Sequence, residues 1–380
     1  DTRFGDFPLA NLTDTAKVSK PFKETFGYKA RKHLADIGVT LMDRFMVMDL
    51  IKENGRIRGA AGIKIESGEV CMIEAGAVIM CTGGGALKPV GYSCVAPSTG
   101  DGNRMAYEAG ASLAGKEFAQ PMRSAKENPA ILGGRGLPAD NGICPDSAFG
   151  VVHPKMWKRN GQAFEQRKEK ISKYPFSYLD LEFAEHEGNL PVKTTVDGQE
   201  YTLVTGAALG MTVRKSDGIW PEDHECRTQI PGLFAAGDAL GTMQNGALYM
   251  LCGGSLLGCA ATGAIAGEAA AKEALALGAF TISEEAASAA VSRILAPLKR
   301  DGGYSPRWAI QLIRNTMTPY FVTYIRKEDR LQAALVNIMF VKEHIIPKLK
   351  AEDAHELRLA YEAGSMALGA ESLLRSALLR

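Results

Sequence analysis

The spacing of apolar positions changes several times along the chain. Phe22, Phe26, Ala30 and Leu34 recur at four-residue intervals, which predicts a helix over 22–36 with one apolar face. From Val39 to Ile51 the chain is largely apolar and reads as a strand. Asn54-Gly55 is a strong turn pair, Arg58 to Ile65 the returning strand, Ser67-Gly68 a second turn and Val70 to Ile73 a third strand. Ala77-Val78-Ile79-Met80 is a short apolar run suited to a buried parallel strand, and it ends in Thr82-Gly83-Gly84-Gly85. Residues 99–115 read as a helix opened by Thr99-Gly100-Asp101-Gly102. Pro231 to Ala236 is again a short buried strand, ending in Gly237-Asp238, and a helix from Ser255 to Leu277 follows. Beyond Ser283 the pattern is helical, punctuated by Pro297, Pro306, Pro319 and Pro347.

A meander feeding a buried strand that ends in glycines belongs to a Rossmann-like α/β nucleotide-binding architecture. Residues 1–119 and 206–282 are its expected two parts. Residues 120–205 are rich in Pro, Gly, Lys and aromatics with weak periodicity, and read as an inserted α+β domain. Residues 283–380 form the expected helical domain.

Composition narrows the function classes. The 380 residues carry 44 Lys+Arg against 43 Asp+Glu, a formal net charge of +1, which argues against a nucleic-acid binder relying on bulk charge. A hydrophobic share of 46% and a charged share of 23% exclude a disordered chain. The stretch from Ala239 to Gly267 is uncharged, but it is dense in Gly and Ala, and a glycine-rich turn with a tightly packed helix fits it better than a membrane span. The first residues, Asp-Thr-Arg onwards, carry no basic-then-apolar pattern, and because the start is not Met, a leader lost with a missing start leaves export open. The seven cysteines, Cys71, Cys81, Cys94, Cys144, Cys226, Cys252 and Cys259, form no C-x-x-C pair and signal neither a disulfide framework nor a metal site. Mostly reduced, partly buried thiols and a cytoplasmic location are expected.

Chemistry concentrates at the two strand ends. Ligands of open α/β sheets bind at the carboxyl edge, where glycine lets backbone N–H groups approach a phosphate or a planar ring. Asp238, directly after Gly237, offers a carboxylate to sugar hydroxyls.

These residues resemble a known family. Ala77-Val78-Ile79-Met80-Cys81-Thr82-Gly83-Gly84 is similar to its A-V-x-x-A-T-G-G strand. Thr99-Gly100-Asp101-Gly102, Met105-Ala106 and Ala109-Gly110-Ala111 are similar to its T-G-D-G-x-x-M-A-x-x-A-G-A segment, and Glu117-Phe118-Ala119-Gln120 to its E-F-x-Q. Thr228-Gln229-Ile230-Pro231-Gly232-Leu233-Phe234-Ala235-Ala236-Gly237-Asp238 is similar to its T-x-I-P-G-L-F-A-A-G-[ED]. The family is that of the fumarate reductase/succinate dehydrogenase flavoproteins, which includes aspartate oxidase and the flavin subunit of adenylylsulfate reductase.

The resemblance implies FAD. By matching positions, the Val47 backbone would meet the adenine, and Thr82, Gly83 and Gly84 would lie along the cofactor. Thr99, Gly100 and Asp101 would approach it from the flavin side, while Gly237 and Asp238 would hold its ribityl and phosphate region. Ser255 and Leu256, opening a helix, would present N–H groups near the flavin pyrimidine edge. The inserted domain would cap the flavin. Two family segments have no counterpart in the chain: the first strand with its G-x-G-x-x-G loop, and the T-E-S-R-G-x-H-x-R stretch that Glu371-Ser372 leads towards. The expectation is a piece of a longer flavoprotein.

The implied reaction moves a hydride or electron pair between flavin and a small anionic substrate. Several family polar groups are replaced. Leu132 stands at the relay Glu, Val213 at a carboxylate-clamping His, and Ala247 to Leu251 at the N-R-L element. Nor is the P-R-D-x-V-S-R stretch present before Tyr178. Arg135, Arg214 and Tyr249 are the expected catalytic side chains, with Arg123, His224 and Trp220 as further lining candidates. Trp220-Pro221-Glu222-Asp223 is similar to the adenylylsulfate reductase branch. The alternative is therefore an electron-transfer subunit working with an iron–sulfur partner, either cytoplasmic or peripheral to a membrane complex.

Overall fold

A three-stranded antiparallel meander, a short parallel strand pair and a set of C-terminal helices meet around three apolar cores. The computed structural model describes residues 26–85, 99–116, 124–125, 192–196, 199–204, 218–241, 254–317, 322 and 326–379. Helix α1 spans Phe26–Asp36 and is closed by Gly38 at φ 86°. Of its expected apolar face, Leu34 is 39% exposed and Ala30 half-buried, while Phe22 and the Phe26 side chain lie outside the described residues.

The meander is β1 (Phe45–Glu53), β2 (Arg56–Lys64) and β3 (Val70–Glu74). Asn54 and Gly55 both take positive φ, 50° and 79°, as a tight hairpin requires. The strand expected from Val39 begins only at Phe45. The chain turns at Gly38 and again at Arg44 (φ 51°), and ladder pairing starts with Phe45 opposite Lys64. Close packing explains Gly62, where a Cβ would stand 2.1 Å from the Met46 carbonyl oxygen.

Strand β4 (Val78–Met80) runs parallel to a strand far along the chain, Leu233–Ala235. Between them lie α2 (Asp101–Glu108), β5 (Leu113–Ala114), β6 (Ser124–Ala125), β7 (Val192–Val196), β8 (Gln199–Val204) and β9 (Gly218–Ile219), which makes Leu233–Ala235 strand β10. β6, β8 and β7 form a separate antiparallel sheet in that order. Helix α2 is shorter than the helix expected over 99–115. Gly110 at φ 104° breaks it, and the Gly110 and Ala111 N–H groups return to the Tyr107 and Ala106 carbonyls.

Helix α3 (Gly254–Leu277) packs on the parallel pair, as Ala266, Ala269 and Ala270 share a core with Phe234 and Met80. Glu273 anchors it: the carboxylate accepts from the Gly232 N–H at 3.0 Å and pairs with Arg56 at 2.8 Å. Among the described residues, no helix is long and apolar enough to cross a membrane.

The remaining helices are α4 (Glu284–Leu295), α5 (Pro306–Met317), α6 (Glu328–Phe340) and α7 (Ala354–Leu378). Ser283 and Asp353 cap α4 and α7 through their side chains, and Pro306 stands at the first position of α5. Helix α7 is the central rod. It buries Ala363, Met366, Ala367, Ala370 and Leu374 against α5 and α6.

Glu371 lies on that rod between Lys342 (2.5 Å) and Arg375 (2.8 Å). Burial alone would raise its pKa, but these two hydrogen bonds outweigh it and hold the carboxyl below its ordinary 4.5. The folded state therefore binds this proton less readily than the unfolded chain. Its stabilising contribution is complete above pH 4.5 and is lost as pH falls through the lowered value. Glu371→Gln is expected to melt below the parent at pH 7 and to converge with it on acidification. A constant gap between the two melting curves down to pH 3 would refute this.

Candidate functional site

The carboxyl ends of β4 and β10 lie side by side, because the Ala236 N–H donates to the Met80 carbonyl and extends the ladder by one residue. Each strand then runs straight into a glycine turn. After β4, Thr82, Gly83 and Gly84 follow, with Gly83 at φ 70°. After β10, Gly237 takes φ 63°, and Gly237-Asp238-Ala239 forms a short 3-10 turn. The N-terminus of α2 enters from the third side. Gly100 caps it at φ 84°, without a side-chain hydrogen bond. Two chain segments approach closely here. Gly85 bridges to Thr99, and a Cβ on Gly85 would stand 3.2 Å from the Gly100 Cα. Gly102 is tighter still, with a hypothetical Cβ 2.8 Å from the Thr82 Cβ.

The structure thus sets the Thr82–Gly85 turn against Thr99, Gly100 and Gly102, and puts the strand end that leads into Gly237 and Asp238 beside the one that leads into Thr82, a cradle along the edge of the strand pair. Val47 sits half-buried on β1 at an irregularity of the ladder, where register shifts between Val47 and Asp49. Ser255 and Leu256 lie in the first turn of α3, in the position expected of them along the chain. Arg135, Arg214 and Tyr249 lie outside the described residues, as do Arg123, Leu132, Val213 and Ala247 to Leu251. His224 and Trp220 are at the surface, Trp220 43% exposed.

Four residues not anticipated from sequence lie on or behind the elements that form the cradle. Thr262, on α3, accepts the Gly237 N–H at 2.8 Å and donates to the Gly258 carbonyl at 2.6 Å, so the glycine turn is tied to the helix beneath it. Ser365, on α7, donates to the Asp101 carboxylate at 2.5 Å, and Thr99 donates to the same group at 3.2 Å. Arg104 is 7% exposed and donates to Ser365 (3.2 Å) and to the Met48 carbonyl (2.8 Å). Its guanidinium also lies 5.0 Å from the Tyr361 ring centroid. Burial pushes the Tyr361 phenol up to about 12, against the opposing pull of Arg104. The fourth is Asn103, 4% exposed, whose amide oxygen and nitrogen both lack a hydrogen-bond partner among the described residues. A chain-distant residue such as Ser365 leaves no mark in local spacing. Asn103 did have a signal: a polar side chain one step past a T-G-D-G turn.

Two thiols stand at the strand ends, one before the first turn's glycines and one over the second's. Cys81 follows β4, and Cys259 lies over Gly237, where a hypothetical Cβ would be 2.8 Å from the Cys259 sulfur. Both reach the surface, yet the protein packed around them pushes both thiols up, Cys81 further by Cys259 and Cys259 further by Asp238. Both are held protonated rather than as nucleophilic thiolates. Among the described residues, no group of three or more His, Cys, Asp or Glu side chains is placed to hold a metal ion.

The cradle fits a dinucleotide with a sugar–phosphate spine. Glycines at positive φ leave its floor without side chains, and a buried unpartnered amide costs roughly 1–3 kcal/mol until a ligand supplies partners. Residues 24–132 match the FAD binding domain family model. An uncharacterized FAD-dependent oxidoreductase of Methanocaldococcus jannaschii is 27% identical, over 90% of this chain and 65% of its own length. The fumarate reductase flavoprotein subunit of Escherichia coli is 29% identical, over 70% of this chain and 49% of its own. Among solved structures, a quinol–fumarate reductase with menaquinol superposes with a TM-score of 0.67 at 19% identity, over 93% of this chain and 67% of that one. An adenosine-5-phosphosulfate reductase in complex with sulfite gives 0.63 at 19%, over 94% and 69%. The chain is thus similar to FAD-dependent oxidoreductases, and among them to the fumarate reductase flavoproteins, as its motifs indicated. It spans about half to two thirds of the length of these curated relatives.

Proposed function

We propose that the protein is an FAD-dependent oxidoreductase that exchanges a hydride or electron pair with a small anionic substrate. The observation that carries this reading is the convergence of two glycine turns and the α2 N-terminus at the carboxyl edge of the β4–β10 pair. FAD, when bound, supplies the redox chemistry. The chain's own residues bind and orient it. Val47 offers backbone groups to the adenine, Thr82 to Gly84 and Gly100 line its length, and Asp101 braces the α2 entry through Ser365. Asp238 accepts from ribityl hydroxyls, and the Asn103 amide takes its missing partners from the cofactor. The N–H groups at Ser255 and Leu256 lie at the positive end of α3 and favour negative charge on a reduced flavin. Arg135, Arg214 and Tyr249 are assigned to the substrate on sequence grounds, since a guanidinium suits an anionic substrate.

A second reading is an adenylylsulfate-reductase-like subunit passing electrons to an iron–sulfur partner, at work in the cytoplasm or at the edge of a membrane complex. It is favoured by the Trp220-Pro221-Glu222-Asp223 sequence. Reoxidation of the reduced flavin separates the two. Turnover with small dicarboxylate-type acceptors supports the first, and turnover only with a nucleotide-sulfate or an added partner supports the second. A full-length protein that takes up no FAD refutes both. Within either reading, Asp238→Ala is expected to weaken FAD binding by about 1–3 kcal/mol, as for a hydrogen bond to a charged group. Flavin fluorescence titration measures this, and unchanged affinity would remove Asp238 from the ribityl assignment.

A further inference from the structure

A second concavity lies away from the glycine cradle. It has a volume of about 580 Å³ and runs along the edge of β1, enclosed by α2, the chain after α4, and α7. β1 is an outer strand of its sheet, so this edge has no strand beside it among the described residues. The two sites use different sides of α2. Gly102 packs on Thr82 at the cradle, whereas Arg104, two positions on and so about 200° round the helix, faces α7 and this cavity.

Its lining is charged unevenly. Lys52, Arg104, Arg293 and Arg300 contribute cations, against the carboxylates of Asp49 and Glu108. Both carboxylates are taken: Asp49 pairs with Arg293 at 2.7 Å, and Glu108 with Arg104. Lys52 donates to the Ala109 carbonyl at 2.7 Å, and Arg300 donates to the Leu349 carbonyl. Neither has a carboxylate partner among the described residues. The volume falls within the roughly 300–1,000 Å³ range of small-molecule sites, and Met48, Ile346 and Leu349 give it apolar wall. A cavity of that size with two cations left unneutralised is complementary to an organic anion, not to a neutral or cationic ligand.

We propose that this cavity binds a small organic dianion, carboxylate- or phosphate-bearing, at a site separate from the cofactor cradle, with Lys52 and Arg300 as its charge-reading groups. Because its walls come from β1, α2, the chain after α4 and α7, an occupant clasps the meander to the helical region. It also touches Arg104, whose hydrogen bonds run to Ser365 and so to Asp101. The site is thereby linked to the cradle entry through one side chain.

The experiment is calorimetric titration and thermal shift of the protein with saturating FAD present, so that a nucleotide cannot take the adenine seat. The probes are succinate, AMP and inorganic phosphate, each tested on the parent, Lys52→Gln and Arg300→Gln. At least one probe is expected to bind, and each substitution to weaken it about ten-fold or more, with FAD affinity unchanged. Succinate alone marks a dicarboxylate site, and AMP alone a phosphate site that needs an organic body. Binding by inorganic phosphate alone overturns the organic-ligand assignment. Absence of binding by all three overturns the proposal, as does binding that both variants keep in full. Lys52 is at the surface of an outer strand, so its variant is expected to fold. A circular dichroism melt matching the parent confirms that a lost signal is not lost structure.

Discussion

Gly102→Ala is expected to destabilise the protein by about 1–3 kcal/mol and to loosen its hold on FAD. The sign decides the case. In an ordinary helix the exchange would stabilise by up to about 1 kcal/mol, since alanine is the better helix former. Here the new Cβ would meet three atoms of Thr82 within 3 Å: Oγ1 at 1.9 Å, Cβ at 2.8 Å and Cγ2 at 2.9 Å. Rotating the threonine side chain moves Oγ1 and Cγ2 but leaves its Cβ in place, so α2 must back away from the end of β4. That motion opens the cradle at the Gly85–Gly100 contact. Combining Gly102→Ala with Thr82→Gly removes the obstruction and is expected to recover most of the loss, a coupling that a double-mutant cycle by urea unfolding measures. Flavin retained after gel filtration reports the functional half. A Gly102→Ala protein as stable as the parent would show that α2 does not bear on Thr82.

The largest loss of stability is expected from Phe234→Ala, about 3–5 kcal/mol. Phe234 is fully buried at the middle of β10, opposite Ile79 of β4, with the Arg227 guanidinium 5.7 Å from its ring centroid. Truncation empties the core beneath the sheet and leaves Arg227 without its aromatic face. Because only one residue stands between β10 and Gly237, FAD affinity should fall with stability. Urea unfolding with an unchanged slope but a much lower midpoint is the expected record. A loss below about 1 kcal/mol would mean that the surrounding side chains collapse into the space.

What could be read from sequence was local. Asn54-Gly55 announced its hairpin because few residue pairs accept two positive φ values, and the short apolar runs before Thr82 and Gly237 announced a parallel strand pair, which is fully buried at β10 but only at Met80 in β4. The glycine positions of the cradle were legible for the same steric reason. The errors were local too. Val39 to Arg44 looked like strand because it is apolar, yet Val39 and Met42 lie at the surface of a turn that the ladder never reaches. The helix expected to 115 stops at Glu108, since Gly110 offers a conformation its neighbours cannot. Spacing could not show Arg104 and Asp101 converging on Ser365, 261 and 264 positions away. That triad exists only because α7 returns across the mouth of α2.

The parallel pairing of β4 with β10 bears on the order in which the molecule assembles. Val78 and Leu233 become neighbours only after the whole intervening stretch has been looped out, a closure that no local contact rewards in advance. During synthesis the β1–β2–β3 meander can close by itself as soon as it emerges, but the floor of the cradle cannot exist until the chain has been made through Asp238. On the proposed reading, FAD therefore has nothing to template early in folding. Its capture is a late event, and a chain interrupted between Gly85 and Leu233 would be left with a formed meander and no seat for its cofactor.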